Sequence, residues 1–369
     1  MYSLHNHTGL SSASRGFADS SIKMEDLIIR AKELGLKGVA ITDHEIIGGF
    51  VQAKNLEKKH DFPIICGNEI YLVSDVQDEL LRNNYQRGMY YPHFLLLALD
   101  EIGNKQLREL STLAWMNSYH QGRLVRTPTK MSDVERVVGN NQGHVVASTA
   151  CLGGQLSKWI VDIEENKHNT QRVITREKQI RDFVNWGIDT FGKGNFYLEC
   201  QPPSYIESQQ QKYQIIVNDY LKELSKEMNI PYIITTDSHY LKKEFLPIHS
   251  AFLNSKEGGD EREVVDFYAT AYLMGKDEII SYFSKYWTKE EIEYGLENTC
   301  KIGNRAERYT LSQKQVVPKI KLEEGWKITK EFFPNKYKYI NKMIESPYEQ
   351  DRYLMYLIEK GMKKLIPEC

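Results

Sequence analysis

The sequence predicts an α/β chain, a β/α barrel over residues 1–275 followed by a mainly helical segment over 276–369. Three observations carry this. Seven short apolar runs recur through the first two-thirds: YSL (2–4), GVAIT (38–42), PIIC (63–66), FLLLAL (94–99), VVAST (145–149), FYLEC (196–200) and YIITT (232–236). Continuous runs of this kind suit strands buried on both faces, as in a parallel sheet. Amphipathic helices separate them. Over 209–228, Tyr213, Ile216, Val217, Tyr220, Leu221, Leu224 and Met228 make one helical face. Over 22–34, Leu27, Ile28, Ala31 and Leu34 do the same, and Gly35 stops the helix. The third observation is a change of texture near residue 275, beyond which the chain is Tyr- and Lys-rich and helical, with an extended VVPKIKL stretch at 316–322. Strands alternating with helices point to a barrel, and an open doubly wound sheet is the structural alternative.

The totals exclude more than they assign. With 41% hydrophobic and 27% charged residues the composition is that of a soluble globular protein. No apolar run approaches the roughly 18 residues of a membrane span. The opening MYSLHNHTGL has no basic region followed by an apolar block, so it does not read as a signal peptide and a cytoplasmic location is expected. Five scattered cysteines without a C-x-x-C pair suggest neither a disulfide framework nor a zinc ribbon. A formal charge of -2 argues against a strongly basic nucleic-acid coat, though a local basic channel can sit in a near-neutral protein.

The informative pattern is where potential ligands fall. His5 and His7 follow the first run as H-x-H, which in extended chain puts both rings on one side. Asp43 and His44 follow GVAIT, Glu69 comes just after PIIC, Cys151 just after VVAST, and Asp237 and His239 follow YIITT as D-S-H. In a β/α barrel the strand ends gather at one mouth, where active sites form. Taken singly each has a bland reading: a satisfied histidine, a buried thiol, a helix-capping aspartate. Four of the ten histidines, with two aspartates, a glutamate and a cysteine, at the ends of five predicted strands are poorly explained by chance.

These ligand types suit zinc, manganese or iron, with carboxylates able to bridge neighbouring cations. Clustered divalent cations acidify water and neutralise charge developing on a phosphate. The sequence contains neither a G-x-x-x-x-G-K-[ST] loop nor a G-x-S-x-G elbow. Metal-assisted hydrolysis is the chemistry left.

L-H-N-H-T, EDLIIRAKELGLKGVAITDHE, H-F-L-L-L-A, A-C-L-G-G-Q-L, F-Y-L-E and I-I-T-T-D-S-H-Y-L occur in that order. Together they resemble the PHP (polymerase and histidinol phosphatase) domain of DNA polymerase III alpha subunits, a distorted (β/α)7-type barrel. The resemblance implies a nine-ligand site for up to three divalent metals, zinc or manganese first. By motif the ligands are His5, His7, His44, Glu69, His93, Cys151, Asp237 and His239. His93 enters only through the resemblance, since it precedes its strand. Family spacing puts the ninth ligand, an aspartate, at Ser14, a poor ligand; allowing an insertion moves it to Asp19, the preferred assignment. Asp43 is expected to support the His44 ring or a neighbouring backbone group.

The resemblance further implies a 3′–5′ exonuclease acting on DNA, with His7, His44 and Asp237 central to hydrolysis. Residues 276–369 resemble the segment joining this domain to the polymerase palm, but no family-type pair of palm aspartates is found, so polymerisation is not expected of the chain alone. The rest of a polymerase core is the expected partner, with Leu354, Leu357, Ile358 and Met362 of the last helix as a docking face. Two basic stretches could follow a DNA backbone: Lys105, Arg108, Arg123, Arg126 and Lys130, and Lys167, Arg172, Arg176, Lys178 and Arg181. Two alternatives remain: a non-catalytic, metal-stabilised scaffold and a free-standing small-molecule phosphatase.

Overall fold

The computed structural model describes residues 1–11, 18–83, 90–121, 124–255, 265–311, 320–333 and 338–366. Ser14, Arg123 and most of the 316–322 stretch lie outside them. The chain divides into two compact units, Met1–Ser312 and Gln313–Cys369.

The strands of the first unit are β1 (Val39–Ile41), β2 (Ile64–Val73), β3 (His93–Ala98), β4 (Tyr119–Gln121), β5 (Leu124–Arg126), β6 (Thr129–Lys130), β7 (Val145–Ser148), β8 (Phe196–Cys200) and β9 (Tyr232–Ile234). The main sheet runs β1-β2-β3-β7-β8-β9, with β6 beside β2 and β4-β5 forming a separate ribbon. The first apolar run joins the two ends of this path. Ala40 N donates to Ser3 O (2.7 Å) on one side, and His7 N donates to Ser238 O (2.9 Å) on the other, so the sheet curls into a barrel.

One buried cluster takes Leu4, Ala40, Ile65, Leu95, Val146, Tyr197 and Ile233, one from each expected strand. These are the inward positions of the period-2 alternation, and they fill the barrel. Outward neighbours such as Phe94, Leu96, Ala147, Phe196, Leu198 and Ile234 share a larger cluster with residues of the surrounding helices, among them Val184, Val217 and Leu221.

The pairing corrects one expectation. β3 runs antiparallel to both β2 and β7, although its continuous apolar run reads as parallel. Burial on both faces dictates apolarity without dictating direction. β2 is also longer than expected: it pairs with β1 through Cys66 and with β3 from Gly67. At that changeover a side chain on Gly67 would meet Leu96 O at 2.7 Å.

The helix Gln209–Met228 forms as expected, its Ser208 side chain accepting from Gln211 N. Met24–Glu33 also forms, with Gly35 beyond it at φ 67°. The first unit does not end near residue 275. The helix Lys289–Arg305 underlies the barrel, with Asn298 Nδ2 donating to Tyr232 O (2.8 Å) and Thr299 Oγ1 accepting from Tyr2 N (3.2 Å). The texture change there marks composition, not packing.

In the second unit Phe333, Ile344 and Met355 form a small core. Its helix Glu349–Leu365 buries Tyr353, Met355 and Glu359 and leaves Leu354, Leu357, Ile358 and Met362 exposed.

Candidate metal centre

The segment 2–7 and the ends of β1, β7 and β9 reach the same mouth as the middle of β2 and the beginning of β3. Because β3 is antiparallel, its first residue, His93, lies where its neighbours' last residues lie. That is why a ligand can precede its strand.

All nine candidates converge there, in three overlapping groups. In the first, Asp237 Oδ1 is 3.2 Å from His5 Nε2 and 3.0 Å from His7 Nε2, and Glu69 Oε2 is 3.1 Å from His7 Nε2. In the second, Glu69 lies 3.0 Å from His44 Nδ1 and 2.9 Å from His93 Nδ1. Cys151 Sγ stands 3.4 Å from the same His93 nitrogen. In the third, Asp19 Oδ2 lies 3.7 Å from His44 Nε2 and 3.6 Å from His239 Nε2, with His7 beside them. Glu69, His7 and His44 each belong to two groups.

The donor set fits divalent cations. Glu69 Oε2 and Asp237 Oδ1 are buried and make no hydrogen bond of proper geometry, although imidazole nitrogens stand 3.0–3.2 Å away. Lone pairs so arranged converge on shared points instead of pairing with one another. Imidazole, carboxylate and thiol together suit divalent transition-metal cations.

The electrostatics agree. Burial disfavours the charged form of His7, but the close carboxylates of Asp237 and Glu69 outweigh it and raise its pKa to about 10. His5 is raised well above its usual range, with Asp237, Glu199 and Glu69 overcoming burial. Glu69 and Asp237 are held below the usual carboxylate range, the surrounding histidines overcoming burial. Burial pushes the Cys151 thiol well up, reinforced by Asp237 and Glu69. The mouth is a strongly anionic pocket whose charge protons partly cover.

Backbone conformation contributes as well. Glu45, Ala150 and Asp237 have φ of 58°, 57° and 47°, left-handed values that cost non-glycine residues energy and cluster at functional sites. Each is a candidate ligand or the chain neighbour of one. Gly153 matters for a related reason: a side chain there would sit 3.0 Å from His93 Nδ1.

A PHP domain family model matches residues 3–203, more than half of the chain. The chain belongs to the PHP domain family. Among curated proteins, "Probable DNA polymerase YorL" of Bacillus subtilis (strain 168) and a DNA-directed DNA polymerase of Bacillus phage SPbeta are each 38% identical over 377 residues, covering 99% of this chain and 28% of the relative. A DNA polymerase III subunit alpha of Borreliella burgdorferi is 25% identical over 316 residues, covering 84% of this chain and 24% of the relative. The chain thus spans under a third of the length of these relatives.

Within this PHP domain, sequence reasoning missed Glu199. It is buried in β8, with Oε1 2.7 Å from His5 Nδ1 and accepting from Thr235 Oγ1 (2.6 Å), while Ser148 Oγ donates to Oε2. The available signal was a carboxylate inside the otherwise apolar or aromatic run FYLEC. Asp43 takes the backbone option of its expected role: Oδ1 accepts from Thr8 N (2.6 Å) and Ser11 Oγ (2.9 Å), and Ser11 Oγ lies 3.0 Å from His7 Nδ1.

The two basic stretches differ. In the second, Arg172 and Arg176 both pair with Asp162, Lys167 with Glu164, Lys178 with Asp182 and Arg181 with Glu227. That face is neutralised where it stands. In the first, Lys130 faces Asp75 and Asp78, and the Arg126 guanidinium lies 4.6 Å over the Tyr91 ring, which lines the mouth. Among the described residues, no helix is long and apolar enough to cross a membrane.

Proposed function

We propose that this PHP domain binds up to three divalent cations, zinc or manganese, and hydrolyses phosphodiesters at the 3′ end of DNA. The observation carrying the proposal is the convergence of His5, His7, Asp19, His44, Glu69, His93, Cys151, Asp237 and His239 on three overlapping ligand groups. Cations held there would acidify water and neutralise charge on the phosphate. The chain's own residues supply the rest. Glu69 and Asp237 set the anionic charge of the pocket, Glu199 and Ser11 orient His5 and His7, and burial limits bulk water. His7, His44 and Asp237 are the residues assigned to hydrolysis. The polymerase relatives support DNA as substrate and the remainder of a polymerase core as partner. The exposed stripe Leu354, Leu357, Ile358 and Met362 suits helix-in-groove docking.

Purified protein should shorten single-stranded DNA from the 3′ end with manganese or zinc, not with chelator, and Asp237→Asn should abolish the reaction. Undiminished digestion by Asp237→Asn would overturn the site assignment. Absence of digestion despite bound metal and a melting temperature lowered by chelation would leave a structural metal site. Preference for a small phosphate monoester over a DNA end would mark a phosphatase.

A further inference from the structure

Above the ligand groups lies a cavity of about 310 Å³, whose lining includes Cys151, Asp237 and His239 together with Tyr90, Phe267 and Lys158. That volume is at the lower edge of small-ligand sites, about 300–1,000 Å³. The aromatic rings are anchored. The Tyr90 hydroxyl accepts from Gln155 Nε2 at 2.9 Å. The Phe267 ring stands edge-on to Tyr268 at 4.9 Å, and Tyr268 stands edge-on to His239 at 5.0 Å. Phe267 nonetheless remains 37% exposed, at the lip of a buried charged centre. The part of Phe267 that stays exposed faces the mouth, so a group entering there would bury further apolar surface against it.

Lys158 adds the second half. Its ammonium is 5.7 Å from the Tyr90 ring centroid. Among the described residues no carboxylate pairs with it, whereas every cation of the second basic stretch is paired.

We infer that this cavity is a nucleobase subsite: Tyr90 and Phe267 take the terminal base of a single strand against their rings, and Lys158 meets the adjoining phosphodiester. Aromatic surface recognises any base through its π-face, and an isolated lysine recognises the backbone as a point charge. A small aliphatic phosphate would use neither. The inference rests on the hydrolytic reading for its choice of substrate, so its test reads binding instead of cleavage.

Two fluorescent single-stranded oligonucleotides would be compared by anisotropy on the full chain with manganese. Each carries a cleavage-resistant phosphorothioate at its last linkage, one ending in thymidine and one in an abasic unit. Wild-type protein should bind the thymidine end about tenfold more tightly, the scale of one stacked base. Phe267→Leu and Tyr90→Leu should each shrink that ratio, and melting curves would establish that at least one variant is folded. Lys158→Gln should weaken both ends alike and flatten the salt dependence. Equal wild-type affinity for the two ends, or an unchanged ratio in a folded aromatic variant, overturns the subsite. Digestion by wild type with no base discrimination removes the subsite and leaves the hydrolytic reading. Base discrimination without digestion does the reverse.

Discussion

Glu199 Oε1 lies 2.7 Å from His5 Nδ1, and both residues are buried. The carboxylate is itself held by Ser148, Thr235 and Gln201, so it presents a fixed acceptor to one side of the imidazole. That fixes a proton on Nδ1 and makes Nε2, which faces Glu69 and Asp237, the nitrogen that would give up its proton and offer its lone pair to a cation.

Glu199→Gln should therefore weaken cation binding by about 10- to 100-fold, the usual cost of removing such a support. An amide can present its NH₂ to His5 and favour the wrong tautomer, while its volume keeps the packing. Competition titration against a metal-sensitive dye would measure the change. Affinity within twofold of wild type would show that Glu199 does not position His5.

Cation-free stability should depend on pH with a definite sign. His7 is raised from 6.5 to about 10 in the folded chain, so its contribution is complete below 6.5 and drains away as pH rises through about 10. Asp237 is lowered from 3.8, so its contribution is present above 3.8 and lost on acidification. A bound cation replaces the protons and is favoured where they leave. The rise in melting temperature on adding manganese to chelator-treated protein should grow between pH 6.5 and 9. A rise independent of pH would contradict this.

Much of this site is legible in the sequence because a barrel turns strand ends into one place. His5, His7, His44, Cys151, Asp237 and His239 each follow an apolar run, and knowing where the runs end suffices to bring them together. Glu69 sits inside β2 rather than after it, because the strand continues by exchanging β1 for β3 at Gly67. His93 is invisible to the same reasoning, since strand direction leaves no trace in a run buried on both faces. Asp19 depends on an insertion whose geometry no periodicity reports. Glu199 is a different omission: a carboxylate buried in a strand needs partners, and the sequence does not say that His5, far away along the chain, is one.

His249 is buried, and neither ring nitrogen hydrogen-bonds to the described residues. Its ring stacks on Tyr240 at 5.1 Å and meets Tyr268 edge-on at 5.0 Å. Burial, with His239 nearby, lowers its pKa to about 3, so unfolding takes up a proton below 6.5 and acid costs stability. His249→Phe keeps the ring packing and removes two unmade hydrogen bonds, each costing about 1–3 kcal/mol when buried. The variant should melt higher than wild type, by a margin that widens from pH 7 to pH 5. A lower melting temperature at both pH values would show that the imidazole nitrogens have partners that matter.

Asp43 supports the His7 loop at one remove. Its carboxylate accepts from Thr8 N at 2.6 Å, from Thr8 Oγ1 at 2.9 and 3.0 Å and from Ser11 Oγ at 2.9 Å. Ser11 Oγ in turn lies 3.0 Å from His7 Nδ1 and accepts from His44 N at 3.1 Å. Asp43→Asn keeps one oxygen and turns the other into an NH₂ facing hydroxyl donors, so at least one charge-assisted bond is lost, worth about 1.5–3 kcal/mol. The loss acts through Ser11 on His7, which belongs to two ligand groups. Stability should therefore fall by that amount, and cation affinity should fall with it. Ser11→Ala should reproduce the affinity loss with a smaller stability loss, because Asp43 keeps its Thr8 bonds. Chemical denaturation and metal titration on both variants separate the two effects. If Ser11→Ala binds cations like wild type while Asp43→Asn does not, Asp43 acts on the site by some route other than this chain of hydrogen bonds.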